Sequence, residues 1–237
     1  MANDFRTLRA ALVAAILVSA SSGIAVAQDI WSGGHVGIGF GVASGGADIT
    51  GTRNTYDLNR AANRVTHGDV GPVVELSGGW DWQRGQFVFG LGAAIAAAPL
   101  GSTVRLANSG ADGAIDVLEV DWTGHVTARI GYATGDTLVY ARGGWGAAQI
   151  ANLGGDIDGG RLDENDAYRS DTVRSGLALG VGFEQRVTER WSLRGEVMQI
   201  DIPSFRRANR QGAPGSQAYT VENGPIRSAT LGLSYRF

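Results

Sequence analysis

Three observations predict an all-β fold, an eight-stranded antiparallel up-and-down transmembrane β-barrel. Apolar and polar residues alternate with period two in eight segments, the connectors are long and short by turns, and aromatic residues gather at one level. A strand sends odd and even positions to opposite faces, whereas a helix mixes both sets around its circumference. The mean hydropathy is −0.04, and no long apolar run lies outside the N-terminus. This excludes a multi-helix membrane protein but not a barrel, whose alternation averages out.

The first segment, 35–44, sets Val36, Ile38, Phe40 and Val42 against glycines. In 73–82, Val74, Leu76, Trp80 and Trp82 oppose Glu75, Ser77 and Asp81. Segment 87–98 carries Phe87, Phe89, Leu91 and Ile95 against small residues. The longest alternation, 117–132, puts Leu118, Val120, Trp122, Val126, Ala128, Ile130 and Tyr132 on one face and Glu119, Asp121, Thr123, His125, Thr127 and Arg129 on the other. Segment 137–148 sets Val139, Ala141 and Trp145 against Tyr140 and Arg142. Segment 173–185 sets Leu177, Leu179, Val181 and Phe183 against Arg174 and Glu184. In 191–202, Leu193 and Val197 oppose Arg194 and Glu196. The last, 228–237, places Leu231, Leu233, Tyr235 and Phe237 opposite Ser228, Thr230, Ser234 and Arg236.

Residues 83–86, 133–136 and 186–190 read as tight turns, and 45–71, 101–116, 152–170 and 203–226 as long polar loops. In an outer-membrane barrel this layout means short periplasmic turns, long external loops and both termini in the periplasm. Trp31, Trp82, Phe87, Tyr132, Phe183, Trp191, Tyr235 and Phe237 then fall at the periplasmic strand ends, as an interfacial aromatic girdle. A soluble barrel would turn its apolar faces inward, leaving the ionised faces and the aromatic level unexplained.

Residues 1–27 read as a secretory signal peptide. Arg6 and Arg9 form its positive start, residues 10–20 its apolar run, and Ala25-Val26-Ala27 a small-x-small cleavage site. The expected barrel domain is 28–237.

The composition narrows the chemistry. The 237 residues include 37 Gly and no Cys, and all 20 basic residues are Arg. Without Cys there is no disulfide framework, thiolate metal site or Cys nucleophile. A net charge of −3 argues against nucleic acid as a partner. Glycine is spread along the chain rather than set at every third residue, so collagen is excluded.

The lumen-facing set holds six acids, Glu75, Asp81, Glu119, Asp121, Glu184 and Glu196, and five bases, Arg129, Arg142, Arg174, Arg194 and Arg236. Buried charges need partners, and the Arg fork suits carboxylates. A barrel of eight strands is just wide enough to be filled by side chains, so these charges read as a salt-bridged plug, with a charged ion path as the alternative.

Catalytic signals are weak. The histidines are His35, His67 and His125. His125-Val126-Thr127 faintly echoes a His-x-Ser hydrolase arrangement, but both polar residues face inward and Thr stands for Ser. No Gly-x-Ser-x-Gly elbow occurs. Gly37-Ile38-Gly39-Phe40-Gly41 lies within a strand with no helix after it, unlike a dinucleotide loop. In the third loop Asp156, Asp158, Asp163, Glu164 and Asp166 lack the full ligand spacing of a calcium loop. Arg206, Arg207 and Arg210 in the fourth loop suit the phosphates of lipopolysaccharide. No cofactor or metal site is expected.

Four stretches resemble the small outer-membrane proteins of the opacity/OmpA-like barrel family, in its alphaproteobacterial "porin family" branch. They are Trp31-Ser32-Gly33-Gly34-His35-Val36-Gly37, Gly78-Gly79-Trp80-Asp81-Trp82-Gln83, Val126-Thr127-Ala128-Arg129-Ile130-Gly131-Tyr132-Ala133 and Leu231-Gly232-Leu233-Ser234-Tyr235-Arg236-Phe237. The likeness departs at His35, where the family more often has an aromatic residue. It implies an eight-stranded barrel in the outer membrane of a Gram-negative cell, and it does not imply an enzyme. It also implies that Phe237 is the signal read by the barrel-assembly machinery. The expected role is structural, in the envelope. The alternatives are a narrow pore and a loop-borne adhesion or binding module.

Overall fold

A computed structural model describes residues 29–51, 64–107, 113–159, 161–162, 168–208 and 218–237. The expected leader, residues 1–27, lies outside them. The described residues form strands β1 (Gly33–Gly51), β2 (Arg64–Arg84), β3 (Phe87–Ala107), β4 (Gly113–Thr134), β5 (Thr137–Asp158), β6 (Arg161–Leu162), β7 (Tyr168–Arg186), β8 (Trp191–Asp201), β9 (Phe205–Ala208), β10 (Ala218–Asn223) and β11 (Ile226–Arg236).

Eight strands close a ring in the order β1-β2-β3-β4-β5-β7-β8-β11, each antiparallel to its neighbours. The closing pair runs from His35 opposite Arg236 to Ser44 opposite Arg227. Closure leaves no free edge over this stretch, as a lipid environment requires. The hairpin β9–β10 continues β8 and β11 in one register: Ile200 faces Ile226 and Phe205 faces Val221. Pro203 and Pro225 sit in the interruptions, where a residue without an N–H cannot donate to a ladder.

The strands are longer than the alternating segments. β1 to β5 and β7 have 19–22 residues, about twice the 9–11 that a tilted membrane strand needs. Much of what reads in sequence as the first three long loops is therefore ladder. At the opposite end, Gly85 and Gly135 take positive φ of 61° and 57° and open two-residue turns, a conformation that glycine adopts without steric cost.

Outward positions carry the apolar sets of the eight segments, save Leu118 and Val120 on β4, exposed from Val36 to Val42 on β1 through to Leu231 and Leu233 on β11. Trp82, Phe87, Tyr132, Phe183 and Trp191 end this band at the tight turns with Phe237. Phe87 and Tyr132 meet edge to face, as do Trp191 and Tyr235.

Two positions differ from the sequence reading. On β4, Val120 pairs with Ile150 but Thr123 pairs with Ala148, so one extra residue is accommodated between them. This β-bulge inverts the alternation. Beyond it Leu118 and Val120 are buried in the lumen, while Glu119 and Asp121 are exposed on the outer surface. Trp31 is the second: it is fully buried and not part of the girdle. It precedes β1, and its chain crosses the mouth of the barrel instead of continuing the wall.

Candidate functional site

The lumen is filled in three layers, set by the inward positions of the ring. At the tight-turn end Trp31 caps it, packed with Val88, Ala133, Leu138 and Tyr140. Its backbone N–H donates to Gln83 Oε1 (2.9 Å), its indole Nε1 to the Gly135 carbonyl (3.2 Å), and its carbonyl accepts from Arg236 Nη1 (2.5 Å). The Arg236 guanidinium lies 5.4 Å over the indole.

The second layer holds the charges. Arg129 donates from Nε to Asp81 Oδ1 (2.8 Å), from Nη2 to Asp81 Oδ2, and from Nη1 to Glu184 Oε1 (2.8 Å). Arg236 Nη2 stands 3.0 Å from Asp81 Oδ2 and 3.8 Å from Glu184 Oε2, and His35 Nδ1 lies 3.2 Å from Asp81 Oδ2. Above this group, Arg142 Nη1 is 3.3 Å from Glu196 Oε1 and donates to His125 Nε2 (3.3 Å). Tyr140 Oη donates to Glu196 Oε2 (2.6 Å), and Arg194 Nη2 to Glu75 Oε1 (2.6 Å). The Tyr140 ring separates the groups, with the Arg129 guanidinium 4.9 Å and that of Arg142 5.3 Å from its centroid, distances suited to cation–π attraction.

Four carboxylates, Glu75, Asp81, Glu184 and Glu196, thus meet four guanidiniums, those of Arg129, Arg142, Arg194 and Arg236. Of the other expected lumen charges, Arg174 is half-buried at a lumen-facing position of β7, opposite Ala148. Glu119 and Asp121 are excluded by the β4 bulge. His125 and Thr127 are both buried in the lumen.

The third layer, toward the long hairpins, is apolar. Leu100, Leu118, Val120, Ile150, Ile200 and Ile226 pack there with alanines and Met198. Sequence reasoning missed this layer, although its signal was present. Carrying the alternation of β3, β5 and β8 past the lipid band turns Leu100, Ile150 and Ile200 inward. In the third loop, Asp156 and Asp158 fall within β5, while Asp163, Glu164 and Asp166 lie outside the described residues. Among the described residues no group of His, Asp or Glu could hold a metal ion. Arg206 and Arg207 sit on β9, and Arg210 lies outside the described residues.

The comparisons with known proteins agree with this architecture. A family model described as an outer membrane protein beta-barrel domain matches residues 10–237. Two relatives, each named a 31 kDa outer-membrane immunogenic protein, come from Brucella melitensis biotype 1 and Brucella suis biovar 1. Each is 27% identical over 219 residues, covering 87% of this chain and 84% of the relative. Among solved structures, the outer membrane protein OprG from Pseudomonas aeruginosa aligns with a TM-score of 0.50 at 16% identity, over 87% of this chain and 97% of that one. With closed ring, lipid-facing band and family match together, the chain belongs to the outer membrane protein beta-barrel domain family.

Proposed function

We propose that this outer-membrane barrel is a non-enzymatic structural element of the envelope whose lumen is sealed to ions. One observation carries the reading: the charges that cross the lumen are paired four against four between the Trp31 cap and an apolar layer. Ions crossing such a lumen would have to displace bonded guanidiniums. The same packing supports the absence of catalysis. His125 is buried and accepts from Arg142, which ties it into the lumen charge network.

The tight-turn end and both termini face the periplasm in this proposal, and the long hairpins face outward. The alternation of short and long connectors supports that orientation. Lipopolysaccharide phosphates are the proposed partners of Arg206, Arg207 and Arg210, and Phe237 is the proposed signal to the barrel-assembly machinery. Planar-bilayer recording of the pure protein tests the sealed lumen. The expected trace is silent, and sustained single-channel steps in the wild type would replace this reading with that of a narrow pore.

A further inference from the structure

The outward face turns polar early on β8 and β11. Gln199 and Asp201 stand opposite Leu179 and Leu177 of β7, and Arg227 stands opposite Gln199. Arg227 lies eight residues along β11 from Tyr235, at the aromatic girdle. With a rise of about 3.3 Å per residue and a tilt of about 40°, that sets it roughly 20 Å above the girdle, close to the far edge of an apolar band about 25 Å tall. A guanidinium at that level meets headgroups rather than hydrocarbon.

This guanidinium is held in one orientation. Arg227 Nε donates to Gln199 Oε1 (2.9 Å), and Gln199 Nε2 donates to Asp201 Oδ1 (2.9 Å). Both bonds require the same setting of the amide, its oxygen toward Arg227 and its nitrogen toward Asp201. Arg227 is exposed, and among the described residues its Nη1 and Nη2 have no protein partner. Paired donors on one planar edge are the geometry that takes a phosphate bidentately. One rung below, Val197 and Ala229 face each other and are half-buried, between exposed Val181 on β7 and exposed Val42 on β1. The shallow dip they leave in the wall accommodates an acyl chain beneath a headgroup.

We propose that Arg227, oriented by Gln199 and Asp201, binds a phosphate of the lipid A moiety of lipopolysaccharide, with an acyl chain of the same molecule lying over Val197 and Ala229. The site rests on the orientation proposed above and adds to the loop arginines a point on the wall itself. Lipid A carries its phosphates on the sugars that join its acyl chains, at the boundary where Arg227 stands. Exposed Glu119 and Asp121 are on β4, at the opposite side of the ring, so the outward charge is asymmetric and the lipid is held on the β8–β11 side.

Native mass spectrometry of the full barrel, released from mixed micelles, counts bound lipid. The probes are diphosphoryl lipid A, the same lipid with its phosphates removed, and phosphatidylglycerol. The wild type is expected to bind the phosphorylated form more tightly than the dephosphorylated one. Arg227→Gln, whose folding is checked by heat-modifiable migration on a gel, should weaken binding of the phosphorylated form by about tenfold, the worth of one charge-assisted bond, and leave the dephosphorylated form unchanged. Gln199→Leu, which keeps the cation but frees it, should lose part of the same preference. The loop variant Arg206→Gln/Arg207→Gln/Arg210→Gln separates the two sites. A preference lost there and intact in Arg227→Gln would overturn the wall site while the loop partnership stands, and a wild type without preference would overturn both. Equal losses of phosphatidylglycerol and lipid A in Arg227→Gln would overturn the assignment to lipid A. A protein dimer that dissociates in Arg227→Gln with no loss of lipid would give this face to a second copy of the chain instead.

Discussion

Arg129 holds Asp81 by reaching over a glycine. Asp81 on β2 and Arg129 on β4 both stand opposite Gly90 on the strand between them, and the guanidinium spans that rung to bind both carboxylate oxygens. A Cβ at Gly90 would collide with Asp81 Oδ1 and lie 3.1 Å from Arg129 Cγ. The bare rung is thus a requirement of the bidentate pair, whose geometry gives Arg its advantage over Lys.

Gly90→Ala should therefore destabilise the barrel by about 1–3 kcal/mol, the usual cost of overpacking. Gly143→Ala is the control, because its Cβ would meet Leu179 Cδ2 at 3.4 Å, an ordinary contact. Its effect should stay within about 0.5 kcal/mol. Urea unfolding of both variants in liposomes measures the difference, and equal effects would show that the rung above Gly90 has room to spare.

The closed ring, its antiparallel order and the lipid face of most strands were legible in the alternation, because one face meets hydrocarbon and the other meets charge. The β4 bulge was not. Leu118, Val120 and Val126 share a parity in sequence, and the pattern shows no break between them. Below the bulge an apolar residue points to lipid; above it an apolar residue points into the apolar layer of the lumen. The two environments ask for the same residue type on opposite faces, so Glu119 and Asp121 read as lumen charges while they face outward. Trp31 was misplaced for a different reason: level along the barrel does not tell a residue in the wall from one folded across the mouth. The pairs of Arg129, Arg194 and Glu196 depend on which side chains meet across the lumen, which alternation alone does not specify.

Charge substitutions on β4 test the bulge. Val126 is 64% exposed within the lipid band, and Val126→Arg should cost about 2–4 kcal/mol, as a basic residue does near mid-membrane. Glu119→Arg should cost about 0–1 kcal/mol, since its position is outward and beyond the band. The same unfolding assay decides. A large loss from Glu119→Arg would return that residue to the lumen.

The Trp31 cap makes a separable contribution. Trp31→Ala removes a fully buried indole and should cost about 3–5 kcal/mol. Trp31→Phe keeps most of the packing but leaves the Gly135 carbonyl without its indole donor, and it should cost about 1–3 kcal/mol, less than the alanine variant. If Trp31 instead lay on the membrane surface, the alanine variant would unfold at nearly the wild-type urea midpoint.

The upper charge group distinguishes a plug from a pore. Arg142→Ala leaves Glu196 with the Tyr140 hydroxyl but without its nearest guanidinium. Breaking a buried pair in this way typically costs about 3–5 kcal/mol, because the surviving charge remains out of water. Glu196→Gln should be destabilising for the converse reason, leaving Arg142 beside His125 without a counter-charge. If the two residues act as a pair, the double variant Arg142→Ala/Glu196→Gln should lose less than the sum of the single losses, with a coupling of about 0.5–3 kcal/mol. Conductance supplies the second axis. A silent wild type whose single variants leak ions as their stability falls fits a lumen closed by its charges. An additive cycle together with a conducting wild type, in which Arg142→Ala changes ion selectivity but not the urea midpoint, would instead make Arg142 part of an ion path.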